Sequence, residues 1–126
     1  MNPKKILTLI GLVLGMQSIA IFLGAEAIAT EAFASLSPDA TGIEIGATMH
    51  RVLAALNMMV AIIVLSARNL EQSAAAKVLM GVSIGLLLPL GHGLYNLLAT
   101  ETKPPLPVLG VLAVLMVLGF VAARKG

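Results

Sequence analysis

Long apolar runs alternate with short polar segments along this chain. A run of about 20 apolar residues crosses a bilayer as a helix, because a helix rises about 1.5 Å per residue and the hydrocarbon is about 30 Å thick. The pattern predicts four such spans, at residues 6–25, 48–67, 78–99 and 107–123. Within hydrocarbon a single segment satisfies its backbone hydrogen bonds only as a helix. We therefore predict an all-α fold, an antiparallel four-helix transmembrane bundle that forms one domain.

The polar segments between the spans predict two short turns and one long connection. Residues 67–77 and 100–107 are short, and the prolines of the second segment cannot continue a helix. The first connection, residues 26–47, has weak helical periodicity that "SPD" at 37–39 interrupts. The sequence "TGIE" at 41–44 has the spacing of a capping box. The second helix is therefore expected to begin near this threonine and to project beyond the bilayer.

The N-terminal stretch has two interpretations. Lys4 and Lys5, followed by an apolar run and then "GAEA", imitate a secretory signal with a small-residue cleavage site. The apolar run is longer than the core of a usual signal. We therefore interpret this stretch as a retained first span.

Composition indicates that lipid surrounds most of the chain. The 126 residues are 59% hydrophobic and 11% charged, whereas a soluble domain is about 45–50% apolar and about 25% charged. The chain has no cysteine, which excludes disulfides, cysteine-ligated metal centres and thiol catalysis. No basic patch alternates with aromatic residues, so we do not expect nucleic-acid binding.

Charge is distributed unequally between the two sides of the predicted topology. On one side lie the basic residues Lys4, Lys5, Arg68, Lys77, Arg124 and Lys125. On the other lie the acidic residues Glu26, Glu31, Asp39, Glu44 and Glu101. Because lysine and arginine mark cytoplasmic segments, we expect both termini in the cytoplasm and the long connection outside. The predicted location is the inner membrane of a bacterium.

Polar side chains fall near the outer ends of the first three spans. They are Glu26, His50, Arg51, Asn57, His92, Tyr95 and Asn96. His92 and Asn96 are one helical turn apart, and His50 and Asn57 lie on nearly one face. Because a buried polar group without a partner costs about 1–3 kcal/mol, the two sets are expected to face each other. We predict that His92 turns into the bundle, toward Asn57, His50 or Glu26.

Three interpretations of this polar set remain open. The first is a hydrogen-bonded interior that fixes the register of the helices. The second is a ligand or proton site lined by His50, Glu26 and His92, since ionisable groups within membranes are often functional. The third is a metal or haem site with His50 and His92 as ligands, because imidazole suits copper, zinc and haem iron. No set of catalytic residues is indicated, since no serine lies in a nucleophile elbow and no carboxylate pair lies inside the spans.

Small residues recur at a spacing typical of helix packing. Gly11 and Gly15 are four residues apart in the first span, as are Gly81 and Gly85 in the third. Such pairs let membrane helices approach closely. We predict a close helix contact at each pair.

The layout resembles the DoxX-like small four-helix integral membrane proteins. The resemblance rests on four short spans, a long outer first connection, and a second span that ends in "LSARN" at residues 65–69 before a short inner loop. It implies a four-helix membrane fold and no functional residue. We expect a non-enzymatic membrane protein, either an accessory subunit or a homo-oligomer. The alternative is a protein that binds a haem, metal or small ligand at an outward-facing cluster of His50 and His92.

Overall fold

The computed structural model describes residues 1–126, and every regular element in it is helical. The α-helices are α1 (Pro3–Leu23), α2 (Ala25–Ala32), α3 (Ala40–Ala67), α4 (Gln72–Gly85), α5 (Leu87–Ala99) and α6 (Leu106–Lys125), and a 3₁₀ turn covers Ala34–Leu36. No strand is present, so the all-α prediction is confirmed. Four helices are long and apolar enough to cross a membrane, if α4 and α5 are counted as one.

Side-chain caps set where two of the helices begin. The Asn2 side chain accepts a hydrogen bond of 2.9 Å from the Lys4 amide at the start of α1. At the start of α3, the Asp39 side chain accepts a bond of 2.7 Å from the Gly42 amide. A side-chain oxygen at this position satisfies one of the free N–H groups of the first turn. The second long helix therefore begins at Ala40 under an aspartate cap, rather than under the predicted threonine.

The third apolar stretch is divided into α4 and α5 at Leu86. Pro89 has no N–H, and the ring of a proline crowds the carbonyl four residues earlier. That carbonyl belongs to Gly85, the last residue of α4. Helical bonding resumes with the Leu90 amide, which donates to the Leu86 carbonyl at 3.3 Å. The break therefore follows from the proline.

Helix α3 packs along α1 and α2. Gly11 lies against Leu65, and farther along α1 the hydroxyl of Ser18 meets the amide of Asn57. The contact continues past α2, where Phe33 lies against Gly46. Residue numbers rise along α1 and α2 as they fall along α3. These two parts of the chain therefore run in opposite directions.

A second pairing joins α4 and α5 to α6. Ser83 lies against Gly119, Gly93 lies against Leu109, and Gly126 lies against Ala76 and Pro3. Helix α1 contacts α4 and α6 as well as α3, so it holds the two pairs together. The largest fully buried apolar side chains belong to this shared core: Leu7, Ile10, Leu14, Val64 and Leu79.

The expected face-to-face packing of the second and third spans is wrong. Helices α3 and α5 do not touch, and α3 packs mainly on α1. The physical reason is the small residues of this contact. Gly11 lies against Leu65, and a side chain there would also meet the backbone carbonyl of Ala61. This close approach gives α1 the place beside α3 that the prediction gave to the third span.

The two predicted glycine contacts have different outcomes in the structure. Gly11 is buried against α3, and a side chain at Gly15 would lie 3.8–3.9 Å from Ala61 and Met58 of α3, so α1 and α3 are close at the first predicted pair. Nothing lies within 4 Å of the position of a side chain at Gly81 or Gly85. The second predicted contact is therefore wrong within this chain.

The buried face of α4 explains this difference. Leu79 and Ser83 are fully buried in α4, and both lie against Gly119 of α6. Residues two positions away on a helix point about 200° apart, because each residue turns the helix by about 100°. Gly81 and Gly85 consequently lie on the side of α4 that faces away from the rest of the fold.

Candidate functional site

The polar residues of α5 form a hydrogen-bonded pair on an exposed surface. The Asn96 amide nitrogen lies 3.2 Å from the His92 Nε2, one helical turn away. His92 and Tyr95 are exposed, and Asn96 is half-buried. No hydrogen bond joins any of the three side chains to another helix. Their arrangement leaves polar groups available on the outside of the molecule.

The prediction that His92 turns into the bundle is wrong. Its one side-chain partner lies on its own helix, and none of Asn57, His50 or Glu26 bonds to it. The buried residue of α5 is the next one along, Gly93, which packs against Leu109 of α6. Because a glycine permits this close approach, the helix turns its glycine inward and its histidine outward.

One continuous surface of α4 and α5 carries these groups. We call it the open face, and it comprises Gly81, Gly85, Leu88, His92, Tyr95 and Asn96. Gly81 and Gly85 are four residues apart on α4, and on α5 each of the other residues lies three or four positions from His92, which places each set on one side of its helix. Leu88 at its centre is 77% exposed and Tyr95 is 61% exposed. The open face therefore combines two glycines at one end with a polar cluster at the other.

Asn57 is the one residue whose side chain hydrogen-bonds from one long helix to another. Its amide donates to the Ser18 hydroxyl at 2.9 Å and to the Leu14 carbonyl at 3.2 Å, both on α1. The Ser18 hydroxyl in turn donates to the Leu14 carbonyl at 2.7 Å. Sequence reasoning assigned Ser18 no role, although its place in the first span at the depth of Asn57 was the available signal. This cluster fixes the register of α1 against α3.

His50 belongs to the contact between α2 and α3. Its Nδ1 donates to the Gly46 carbonyl at 2.7 Å, which leaves Nε2 free. The ring meets the edge of Phe33, with centroids 6.4 Å apart and planes inclined by 67°. Edge-to-face packing of this kind is favourable for aromatic rings. His50 therefore positions the end of α2 on α3. The next residue, Arg51, is half-buried, and Glu26 of α2 is exposed.

The structure does not assemble the predicted cluster of His50 and His92. The two residues lie on α3 and α5, which do not touch, and each ring bonds within its own helix. No group of three or more histidine, cysteine, aspartate or glutamate side chains is placed to hold a metal ion. The two histidines consequently have separate environments, and only His50 is packed between helices.

The connection between α2 and α3 contacts the connection between α5 and α6, and a shallow cleft lies beside them. The Lys103 amide donates to the Ala32 carbonyl at 3.0 Å, and the Ser35 hydroxyl donates to the Glu101 carbonyl at 2.7 Å. Beside these bonds lies a cleft of about 300 Å³ lined by Glu31, Lys103 and neighbouring apolar residues. The first connection is thus tied to the segment before α6.

Two further features lie along α1. An apolar groove of about 240 Å³ runs between α1 and α3, beside Phe22 and Met58. The Gln17 Oε1 is buried without a hydrogen-bond partner. The groove has the apolar lining expected of a surface in contact with lipid.

Comparison with known proteins gives no relative. No family model, curated protein or solved structure matches this chain.

Proposed function

We propose that this chain is an integral protein of a bacterial inner membrane that acts, without catalysis, by lateral association with another membrane protein chain. It crosses the bilayer four times as an antiparallel bundle with both termini in the cytoplasm. The associated chain is either a larger complex, of which this protein is an accessory subunit, or another copy of the protein. The open face of α4 and α5 is the surface that makes the contact.

The hydrogen-bonded pair of the exposed His92 and the half-buried Asn96 carries this proposal. His92 lies seven residues before the end of α5, which places it about 10 Å below the outer surface at 1.5 Å per residue. A histidine side chain at that depth is too short to reach water past lipid. Hydrogen bonds between membrane helices contribute about 0.6 kcal/mol on average and up to about 1.7 kcal/mol. A neighbouring protein chain supplies such bonds, whereas acyl chains supply none.

The proposed orientation follows from charge and from the position of the chain ends. Gly126 lies against Pro3 and Ala76, so the chain termini and the start of α4 share one end of the fold. The basic residues of the N-terminus, the Arg68–Lys77 turn and the C-terminus belong to these segments. Basic residues are retained on the cytoplasmic side. This distribution supports cytoplasmic termini and an external first connection.

Photo-crosslinking from Tyr95 tests the proposal. A photoreactive phenylalanine analogue at position 95, introduced in cells, should yield a protein adduct because the open face is covered by another chain. The matched control is Leu53 of α3, which is 59% exposed and lies at a similar depth near the outer end. We expect the adduct from position 95 to exceed that from position 53 by about tenfold, which corresponds to about 1.4 kcal/mol of preference.

Two outcomes would contradict lateral association. If neither position gives a protein adduct, both helices face lipid, and the polar pair is tolerated without a partner. If both give adducts equally, the chain has no preferred contact surface. Mass determination of the adduct from position 95 also distinguishes another copy of the chain from a different protein.

A further inference from the structure

We infer that the chain covering the open face is a second copy of this protein, joined across a twofold axis normal to the membrane. This inference rests on the proposed lateral association and names its partner. None of the six residues of the open face, Gly81, Gly85, Leu88, His92, Tyr95 and Asn96, is an aspartate, glutamate, lysine or arginine. A partner therefore needs no opposite charge, and an identical face meets no repulsion.

The unused hydrogen-bonding groups of the open face complement each other. With the Asn96 amide donating to the His92 Nε2, the Nδ1 of the histidine carries the remaining ring proton. Each copy then presents one free donor, the His92 Nδ1–H, and one free acceptor, the Asn96 Oδ1. Across a twofold axis, the donor of each copy faces the acceptor of the other. Two copies satisfy four polar groups with two additional hydrogen bonds.

Two copies inserted in one membrane with the same orientation place identical residues at the same depth. Both copies have the same topology, so their α4–α5 spans run parallel and identical residues meet across the axis. Gly81 and Gly85 then lie opposite their counterparts, and within one chain nothing lies within 4 Å of the position of a side chain at either glycine. Small residues four positions apart permit close backbone contact between parallel membrane helices. The glycines and the polar pair therefore serve the same interface at its two ends.

Disulfide crosslinking at Leu88 tests the dimer directly. The chain has no cysteine, so Leu88→Cys introduces the only thiol. A disulfide requires Cβ atoms about 3.5–4.5 Å apart, so a rapid crosslink in native membranes reports direct contact at the twofold axis. We expect a product of twice the 13.0 kDa chain mass.

Leu94→Cys is the matched control. Leu94 is exposed on the same helix, and at about 100° per residue it points about 120° away from Leu88. We expect it to give less than a tenth of the crosslinked product of Leu88→Cys. Equal products from the two positions would mean random collision and would overturn the twofold interface.

Gly85→Leu, added to Leu88→Cys, distinguishes an effect on the dimer interface from an effect on the fold of the single chain. A side chain at Gly85 meets nothing within 4 Å of its first atom in the single chain, so its thermal stability as a monomer in detergent should not change. In membranes the added side chain occupies the interface, and the crosslinked product should fall about tenfold. Unchanged crosslinking would overturn the role of the glycine pair and, with it, the dimer.

The identity of the product distinguishes this inference from the proposed function. If the disulfide from Leu88→Cys or the photo-crosslink from position 95 contains a different protein, the inference of a second copy is overturned and lateral association is retained. The absence of any protein adduct from both positions overturns both. A crosslinked dimer of twice the chain mass from Leu88→Cys, whose amount falls when Gly85→Leu is added, supports both the second copy and lateral association.

Discussion

Gly119→Leu should lower the free energy of unfolding by about 3 kcal/mol, the upper part of the range for overpacking a closely packed site. Gly119 of α6 is buried directly against the Ser83 hydroxyl and its Cβ, with the Leu79 side chain beside them. A leucine at this position must displace α6 from α4. Unfolding of the purified protein in detergent by a chemical denaturant measures the loss.

Gly110→Leu supplies the comparison on the same helix. Gly110 is exposed, and nothing lies within 4 Å of the position of its side chain. This variant should stay within about 0.5 kcal/mol of the parent protein, as surface substitutions usually do. If the two variants lose the same stability, α6 does not pack on α4 through Gly119, and the second helix pairing is incorrect.

Asn57→Asp should lower the free energy of unfolding by a similar amount, about 3 kcal/mol, which is the typical penalty for a carboxylate near the centre of a membrane span. The two side chains have nearly the same shape, so packing is preserved. A carboxylate has no N–H, however, and would place its oxygen against the Leu14 carbonyl and the Ser18 hydroxyl, where the amide now donates. Denaturation in lipid bicelles at pH 8 measures the effect.

Asn57→Leu measures the loss of the two hydrogen bonds of the side-chain amide without the added cost of burying a charge. It removes two bonds that each contribute about 0.6 kcal/mol, so its expected cost is about 1 kcal/mol. Asn57→Asp must therefore be clearly more destabilising than Asn57→Leu. If the aspartate is tolerated as well as the leucine, residue 57 does not bridge α1 and α3.

The positions of the helices could be predicted from hydropathy, because the length and apolar character of a run decide whether it crosses a bilayer. The pairing of the helices could not be predicted this way. In a membrane protein the side that faces lipid is as apolar as the side that faces another helix. Gly11 and Gly85 have equivalent sequence settings, yet one contacts Leu65 and the other contacts nothing.

The polar residues were misplaced for a related reason. The prediction assumed that all polar groups within spans turn toward one another inside a single chain. Asn57 does turn inward, but to Ser18 of α1. His92 turns outward because its neighbour Gly93 provides the closer contact with Leu109. A polar group within a membrane span needs a hydrogen-bond partner, but that partner can belong to another chain. The prediction placed the partner of His92 inside the same chain, whereas the open face presents His92 to a neighbouring one.

In the proposed dimer α4 and α5 lie within the membrane, and a second copy of the chain rather than lipid covers their open face. Spin labels attached to Leu88→Cys and, separately, to Leu56→Cys of α3 test both parts in reconstituted bilayers. The two leucines are 77% and 51% exposed in the single chain, and both lie near the middle of their spans. We expect the label at position 56 to collide freely with oxygen, which concentrates in lipid, and not with a water-soluble relaxing agent. The label at position 88 should be protected from both. If position 88 is as accessible to oxygen as position 56, the open face meets lipid, and if both labels meet the water-soluble agent, the helices do not cross the membrane.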